Sequence, residues 1–150
     1  RDEWEFWTSE PNLSRMDRTW ASFAQKNLLN LQDRFELIED EQEVFTGINA
    51  VPAPGHTPGH GVLFIASAGE ELITLGDAAG HPIHLEHPEW HILSDQVPEE
   101  AMDTRRRLLE RASSKNALLF GYHFPFPGLG RALKKQKGWD WEPIGGKEMR

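Results

Sequence analysis

The 150-residue chain is the size of one ordinary domain and carries a net charge of −8, an acidic balance that argues against a nucleic-acid partner. Hydrophobic residues make up 38% of it, and no run approaches the roughly 18 apolar residues of a membrane-spanning helix, so a globular fold with no membrane partner is expected. Cysteine is absent, which rules out disulfides and thiolate chemistry and leaves His, Asp and Glu to hold any metal.

The opening RDEWEFW, with Trp4, Phe6 and Trp7, reads as a short amphipathic helix or strand ending in a turn at residues 9–12. Met16, Trp20, Ala24, Leu28, Leu31 and Phe35 then step by four, four, four, three and four. That is the spacing of one helical stripe, with Asn12 or Ser14 available as its cap. FELIED and EVFTGINAVPAPGH read as strands, with Gly47 at a turn. GVLFIASAGEELITLGD is the clearest hairpin, two apolar runs around Ser67, Ala68 and Gly69. Both runs are apolar throughout, which predicts strands covered on both faces. SDQVPEEAMDTRRRLLERASS reads as a helix capped by Asp95, with Pro98 in its first turn and Arg105, Arg106 and Arg107 on a solvated face. NALLFGYHFPFPG is a strand feeding a loop, RALKKQK a solvated basic face, and GWDWEPI a final strand. Strands and helices alternate, the pattern of an α/β fold.

Three of these apolar segments run out at His56, Asp77 and His123, with Gly55, Gly76 and Gly121 one or two positions before them. Strand ends of one sheet lie side by side, so residues remote in sequence can converge there. Imidazole and carboxylate are the ligands that zinc, iron or manganese accept when thiolates are absent. Spacing alone leaves two readings open, a shared metal site or three unrelated loop residues. His56 and His60 do not make a helical ligand pair, because Pro58 and Gly59 lie between them and no Glu follows His56.

APGHTPGH, LGD and GYHFPFPG, in this order, resemble the second half of the metallo-β-lactamase superfamily. The run from His87 to Trp90 and the run from His123 to Gly130 resemble its lactonase-like and organophosphate-hydrolase-like branch. The resemblance covers nearly the whole chain, from EWEFW to GWDWEPI. It implies the C-terminal part of an αββα sandwich holding two divalent metals, zinc first, with iron and manganese as alternatives. By position, His56 is implied to bind one metal, His123 the other, and Asp77 to bridge them. A metal-activated water would then hydrolyse lactones, carboxylic esters or phosphotriesters. His60 is implied as a supporting or structural residue, and His81, four residues after Asp77, is the one of the remaining histidines expected to reach the site.

The superfamily also carries a His-x-His-x-Asp-His run supplying two ligands to each metal, and this sequence has none; its first histidine is His56. Residues 1–150 are therefore expected to be a domain incomplete on its N-terminal side and inactive alone. The alternative is a non-catalytic half-fold that binds a partner chain, its own missing half or a second copy. His81, His84, His87 and His91 are expected to line the pocket mouth without an independent metal site, because Pro82 and Pro88 interrupt any regular face. Trp90, Phe124 and Phe126 are expected in the core, with an apolar substrate pocket as their other reading. No leader-peptide pattern is visible, and a cytoplasmic location is expected.

Overall fold

The opening segment is helical, with α1 (Asp2–Thr8), α2 (Glu10–Leu13) and α3 (Arg18–Asn27) in succession. The computed structural model describes residues 1–15 and 17–145, so Met16, at the head of the expected stripe, lies outside the described residues. Residues 10–13 form a helical turn where a plain turn was expected, because Pro11 falls at a helix start and gives up no hydrogen bond there. The cap of α3 is Asp17, whose carboxylate accepts the Thr19 N–H at 2.8 Å, and not Asn12 or Ser14. The stripe also stops early: Leu29–Arg34 winds as a 3₁₀ helix, and FELIED joins no strand. With the 35–38 segment, α1 and α3 wall an apolar groove of about 500 Å³ lined by Trp4, Trp7, Trp20 and Phe23.

The remainder builds one seven-stranded sheet in chain order. Its strands are β1 (Gln42–Phe45), β2 (Ile48–Pro52), β3 (Gly61–Ser67), β4 (Glu70–Thr74), β5 (Leu118–Phe120), β6 (Leu129–Lys134) and β7 (Trp139–Pro143). Neighbours are antiparallel except β4 and β5, which are parallel. The β3–β4 hairpin turns through Ala68 and Gly69, both at positive φ, the geometry that matches strand twist. RALKKQK was expected as a solvated face, yet most of it is β6. Ala132 is buried there while Lys134 and Lys135 stay in water, an alternation that four bases in seven residues conceal.

The parallel crossover is made by α5 (Pro98–Lys115), closed by Asn116 in the left-handed conformation. Ala101, Thr104, Arg105, Leu108, Leu109 and Ala112 form its buried stripe. The apolar members pack on Val62, Phe64, Ile73, Leu119 and Ala132 of the sheet. The other sheet face is apolar as well. Pairing of Ile65 with Leu72, Leu72 with Leu118, and Phe120 with Leu129 puts these five on it, together with Leu63 and Leu133. That face is only partly covered by the described residues, and Leu63, Phe120 and Leu133 are each more than a third exposed. The expectation of strands covered on both faces is corrected accordingly.

Candidate metal centre

Strand direction decides where the three candidate ligands go. β2 and β4 are both antiparallel to β3, and β5 is parallel to β4, so the C-terminal ends of β2, β4 and β5 share one edge of the sheet. His56, Asp77 and His123 each follow one of those ends. The structure brings all three together. His56 Nε2 stands 4.0 Å from Asp77 Oδ2, and His123 Nε2 lies 2.9 Å from Asp77 Oδ1, so the carboxylate sits between two imidazoles with one oxygen toward each.

The 53–60 loop that carries His56 is laced to its surroundings. Ala53 N–H donates to the His60 carbonyl at 2.8 Å, Val97 N–H to the Gly55 carbonyl at 2.9 Å, and Thr104 Oγ1 to the Pro54 carbonyl at 2.8 Å. Thr57 Oγ1 donates to Glu3 Oε2 at 2.6 Å, which ties α1 to the same loop. Gly55, at φ +125°, packs directly on the first turn of α5. His60 is held at both ring nitrogens: Nδ1 donates to the Ala53 carbonyl at 2.9 Å, and Nε2 accepts the Asp77 N–H at 3.1 Å. A carbonyl can only accept and an amide N–H only donate, so His60 is a neutral strut between the two loops. Gly76 leaves room for it, since a Cβ there would lie 2.6 Å from His60 Nε2.

Asp95 does not cap the helix. The cap position is Val97, and the Asp95 side chain is fully buried. Its Oδ1 accepts from His56 Nδ1 at 2.9 Å and its Oδ2 from Ile92 N–H at 2.8 Å. Arg105 is likewise misplaced by the sequence reading: it is 0% exposed and not on a solvated face, whereas Arg106 and Arg107 are exposed. Its Nε donates to the Ala78 carbonyl at 2.6 Å and its Nη1 to those of Pro88 and Trp90, while Nη2 lies 4.0 Å from Asp95 Oδ2. Three carbonyls take the protons of Nε and Nη1, while Nη2 is buried with no hydrogen-bond partner among the described residues and meets only the charge of Asp95.

Tyr122, the only tyrosine, donates its hydroxyl to Asp77 Oδ1 at 2.9 Å and lies against the His123 ring. Burial, then the hydrogen bond and charge of Asp77, push its phenol up to about 12, so it stays a donor. Burial works against ionisation of Asp77 itself. The bonds from His123 and Tyr122 outweigh it and hold the carboxyl below its ordinary value.

The 81–91 segment contains one short helix, α4 (Ile83–Glu86), despite its prolines. His81 is exposed and accepts the Ile83 N–H at 3.1 Å. His87 stacks on Trp90 with ring centroids 4.2 Å apart, and His91 is exposed. Of the three aromatics expected in the core, Phe124 is buried edge-on to Trp141, but Trp90 is 49% and Phe126 94% exposed. Both exposed rings lie in loops at the sheet edge, where no helix or strand covers them.

His84 is half-buried, and burial, then the adjacent Arg105, hold its imidazole below the ordinary 6.5, with Asp95 pulling the other way. It is neutral in the fold and protonates more readily once unfolded. Its stabilising contribution is therefore complete above about pH 6.5 and is lost as pH falls toward the folded value. The unfolding free energy is expected to decline between about pH 7 and pH 5 more steeply in the native chain than in His84→Gln. Equal slopes would assign the decline to other groups.

The donors fit a divalent metal in type and position. Asp95 Oδ1 lies against His56 Nδ1 and leaves Nε2 as the ring nitrogen that faces Asp77. Two bonds of about 2.0–2.2 Å at a tetrahedral angle bring their donors to roughly 3.4 Å, so the 4.0 Å between Nε2 and Oδ2 would have to close slightly on a cation. His123 Nε2 would have to give up the proton it now shares with Asp77. The set is also short: among the described residues no group of three or more His, Asp or Glu side chains is arranged to hold one metal.

The fold is that of the metallo-β-lactamase superfamily of hydrolases. The hydrolase AbOPH of the β-lactamase superfamily is 23% identical with a TM-score of 0.83, covering 99% of this chain and 54% of its own. The dizinc quorum-quenching lactonase AidC, solved with the product N-hexanoyl-L-homoserine, is 25% identical with a TM-score of 0.80, covering 95% and 52%. An N-acyl homoserine lactone hydrolase with its product at the catalytic metal centre is 29% identical with a TM-score of 0.53, covering 59% and 35%. The chain thus spans about half the length of the first two structures. No family model and no curated protein matches the sequence. No helix among the described residues is long and apolar enough to cross a membrane.

Proposed function

We propose that this chain carries one side of a two-metal hydrolytic centre acting on lactones, carboxylic esters or phosphotriesters. The observation that carries the reading is the convergence of His56 and His123 on the two oxygens of Asp77 at one sheet edge. Bound there, divalent metals would supply Lewis acidity toward a carbonyl or phosphoryl oxygen and make water acidic near neutral pH. Zinc is the first choice, by likeness to the dizinc lactonase. Within this chain, His60 braces the Asp77 backbone and Tyr122 holds one Asp77 oxygen.

Each metal receives only two ligands from these residues, and a catalytic zinc usually has three. The remaining ligands are proposed to come from polypeptide outside these 150 residues. The isolated chain is expected to take up zinc weakly, to lose that uptake in Asp77→Ala, and to hydrolyse lactones, esters and phosphotriesters no faster than buffer. Equilibrium dialysis with zinc and hydrolysis assays check both parts. Zinc uptake unchanged in Asp77→Ala overturns the metal assignment. Robust turnover abolished by chelator and by His123→Ala overturns the need for further ligands.

A second reading rests on the partly covered sheet face bearing Leu63, Phe120 and Leu133. Contiguous apolar surface marks an interaction site. On this reading the chain is a half-fold module docking a partner chain, a complementing half or a second copy of itself.

A further inference from the structure

We propose that Asp95, backed by Arg105, is a positioning residue that sets the tautomer and aim of His56. The inference rests on the reading of His56 and Asp77 as metal ligands and extends it to a carboxylate 18 residues further along the chain than Asp77. The Asp95 side chain is wholly buried, with His56, an amide N–H and a guanidinium around its two oxygens. Oδ1 takes the His56 Nδ1 proton at 2.9 Å, Oδ2 takes the Ile92 N–H at 2.8 Å, and Arg105 Nη2 stands 4.0 Å away. With the Nδ1 proton held by Asp95, the neutral imidazole keeps its lone pair on Nε2, the nitrogen that faces Asp77.

Arg105 makes this more than a local contact. Its Nε binds the carbonyl of Ala78, the residue after Asp77, while its Nη2 faces Asp95. One buried side chain therefore fixes the spacing between the loop of the bridging carboxylate and the loop of the carboxylate that aims His56. A merely structural Asp95 would hold the 92–95 turn through Ile92 and leave the His56 proton free to sit on either nitrogen.

Asp95→Asn separates the two. It is isosteric, but its one oxygen cannot serve both Ile92 N–H and His56 Nδ1–H. With that oxygen kept by Ile92 and Arg105, the amide NH₂ turns to Nδ1, and the imidazole proton moves to Nε2. Long-range ¹H–¹⁵N imidazole spectra of the metal-free chain, recorded at alkaline pH, report directly which ring nitrogen carries the proton. The native chain is expected to show His56 protonated at Nδ1, and Asp95→Asn at Nε2. Zinc affinity, measured by competition with a chromogenic chelator, is expected to fall at least about tenfold in Asp95→Asn.

A native His56 protonated at Nε2 overturns the inference without any variant having to fold. So does an Asp95→Asn chain that keeps the native tautomer or the native zinc affinity. His56→Ala separates this from the parent reading. If it binds zinc as tightly as the native chain, the metal assignment has failed; if it loses zinc while Asp95→Asn does not, Asp95 alone is wrongly assigned.

Discussion

Arg105→Met is expected to lower the unfolding free energy by about 3–5 kcal/mol, enough to threaten a domain of ordinary stability. Methionine fills much of the volume and keeps the helix propensity of α5, so neither a cavity nor a weakened helix accounts for the loss. What goes is the charge and the donors. The carbonyls of Ala78, Pro88 and Trp90 would be left unpaired next to the core, and Asp95 would lose the guanidinium beside it. Breaking a buried pair by removing one partner leaves an uncompensated charge, which is the expensive case. Arg105→Lys should recover only part of the loss, because one ammonium cannot reach three carbonyls in a planar fork. Denaturant unfolding followed by tryptophan fluorescence measures both variants. A loss below about 1 kcal/mol for Arg105→Met would mean that water takes over the three carbonyls.

The same residue shows what the sequence carried and what it hid. Arg105 stands in register with Ala101, Leu108, Leu109 and Ala112, the stripe that α5 turns to the sheet, so helical spacing did mark it as inward. The run of three arginines masked that signal, since charge runs normally face water. Asp95 was hidden in another way. Aspartate is a favoured helix cap and Asp95 lies shortly before a proline-initiated helix, so only the folded loop shows it turned back toward His56. His56, Asp77 and His123 were legible because apolar runs ending in Gly, His and Asp announce strand ends, and strand direction then decided that they meet. Tyr122 carried no pattern of its own; its bond to Asp77 follows from a turn that periodicity does not register. The aromatics failed for a simpler reason. Trp90 and Phe126 belong to loops at the site edge, where hydrophobicity no longer reports burial.

Gly55→Ala should be still more damaging than Arg105→Met and should disable the centre together with the fold. Gly55 sits at φ +125°, a region closed to residues with a Cβ except under strain. An added Cβ would lie 2.1 Å from the Ala101 nitrogen and 2.3 Å from its Cα, both backbone atoms with no rotamer to swing aside. Either α5 moves outward or the 53–60 loop does. Both movements pull apart the bonds from Val97 N–H to Gly55 and from Gln96 N–H to His56, and with them the approach of Asp95 to His56. Backbone overlap and positive-φ strain together predict a loss of about 4 kcal/mol or more, in the range reserved for a few severe mechanisms. Chemical denaturation gives the stability, and the His56 imidazole signals give the site. A variant that unfolds within about 0.5 kcal/mol of the native chain, as an ordinary surface change would, and keeps its His56 signals would show that α5 does not seat on this loop.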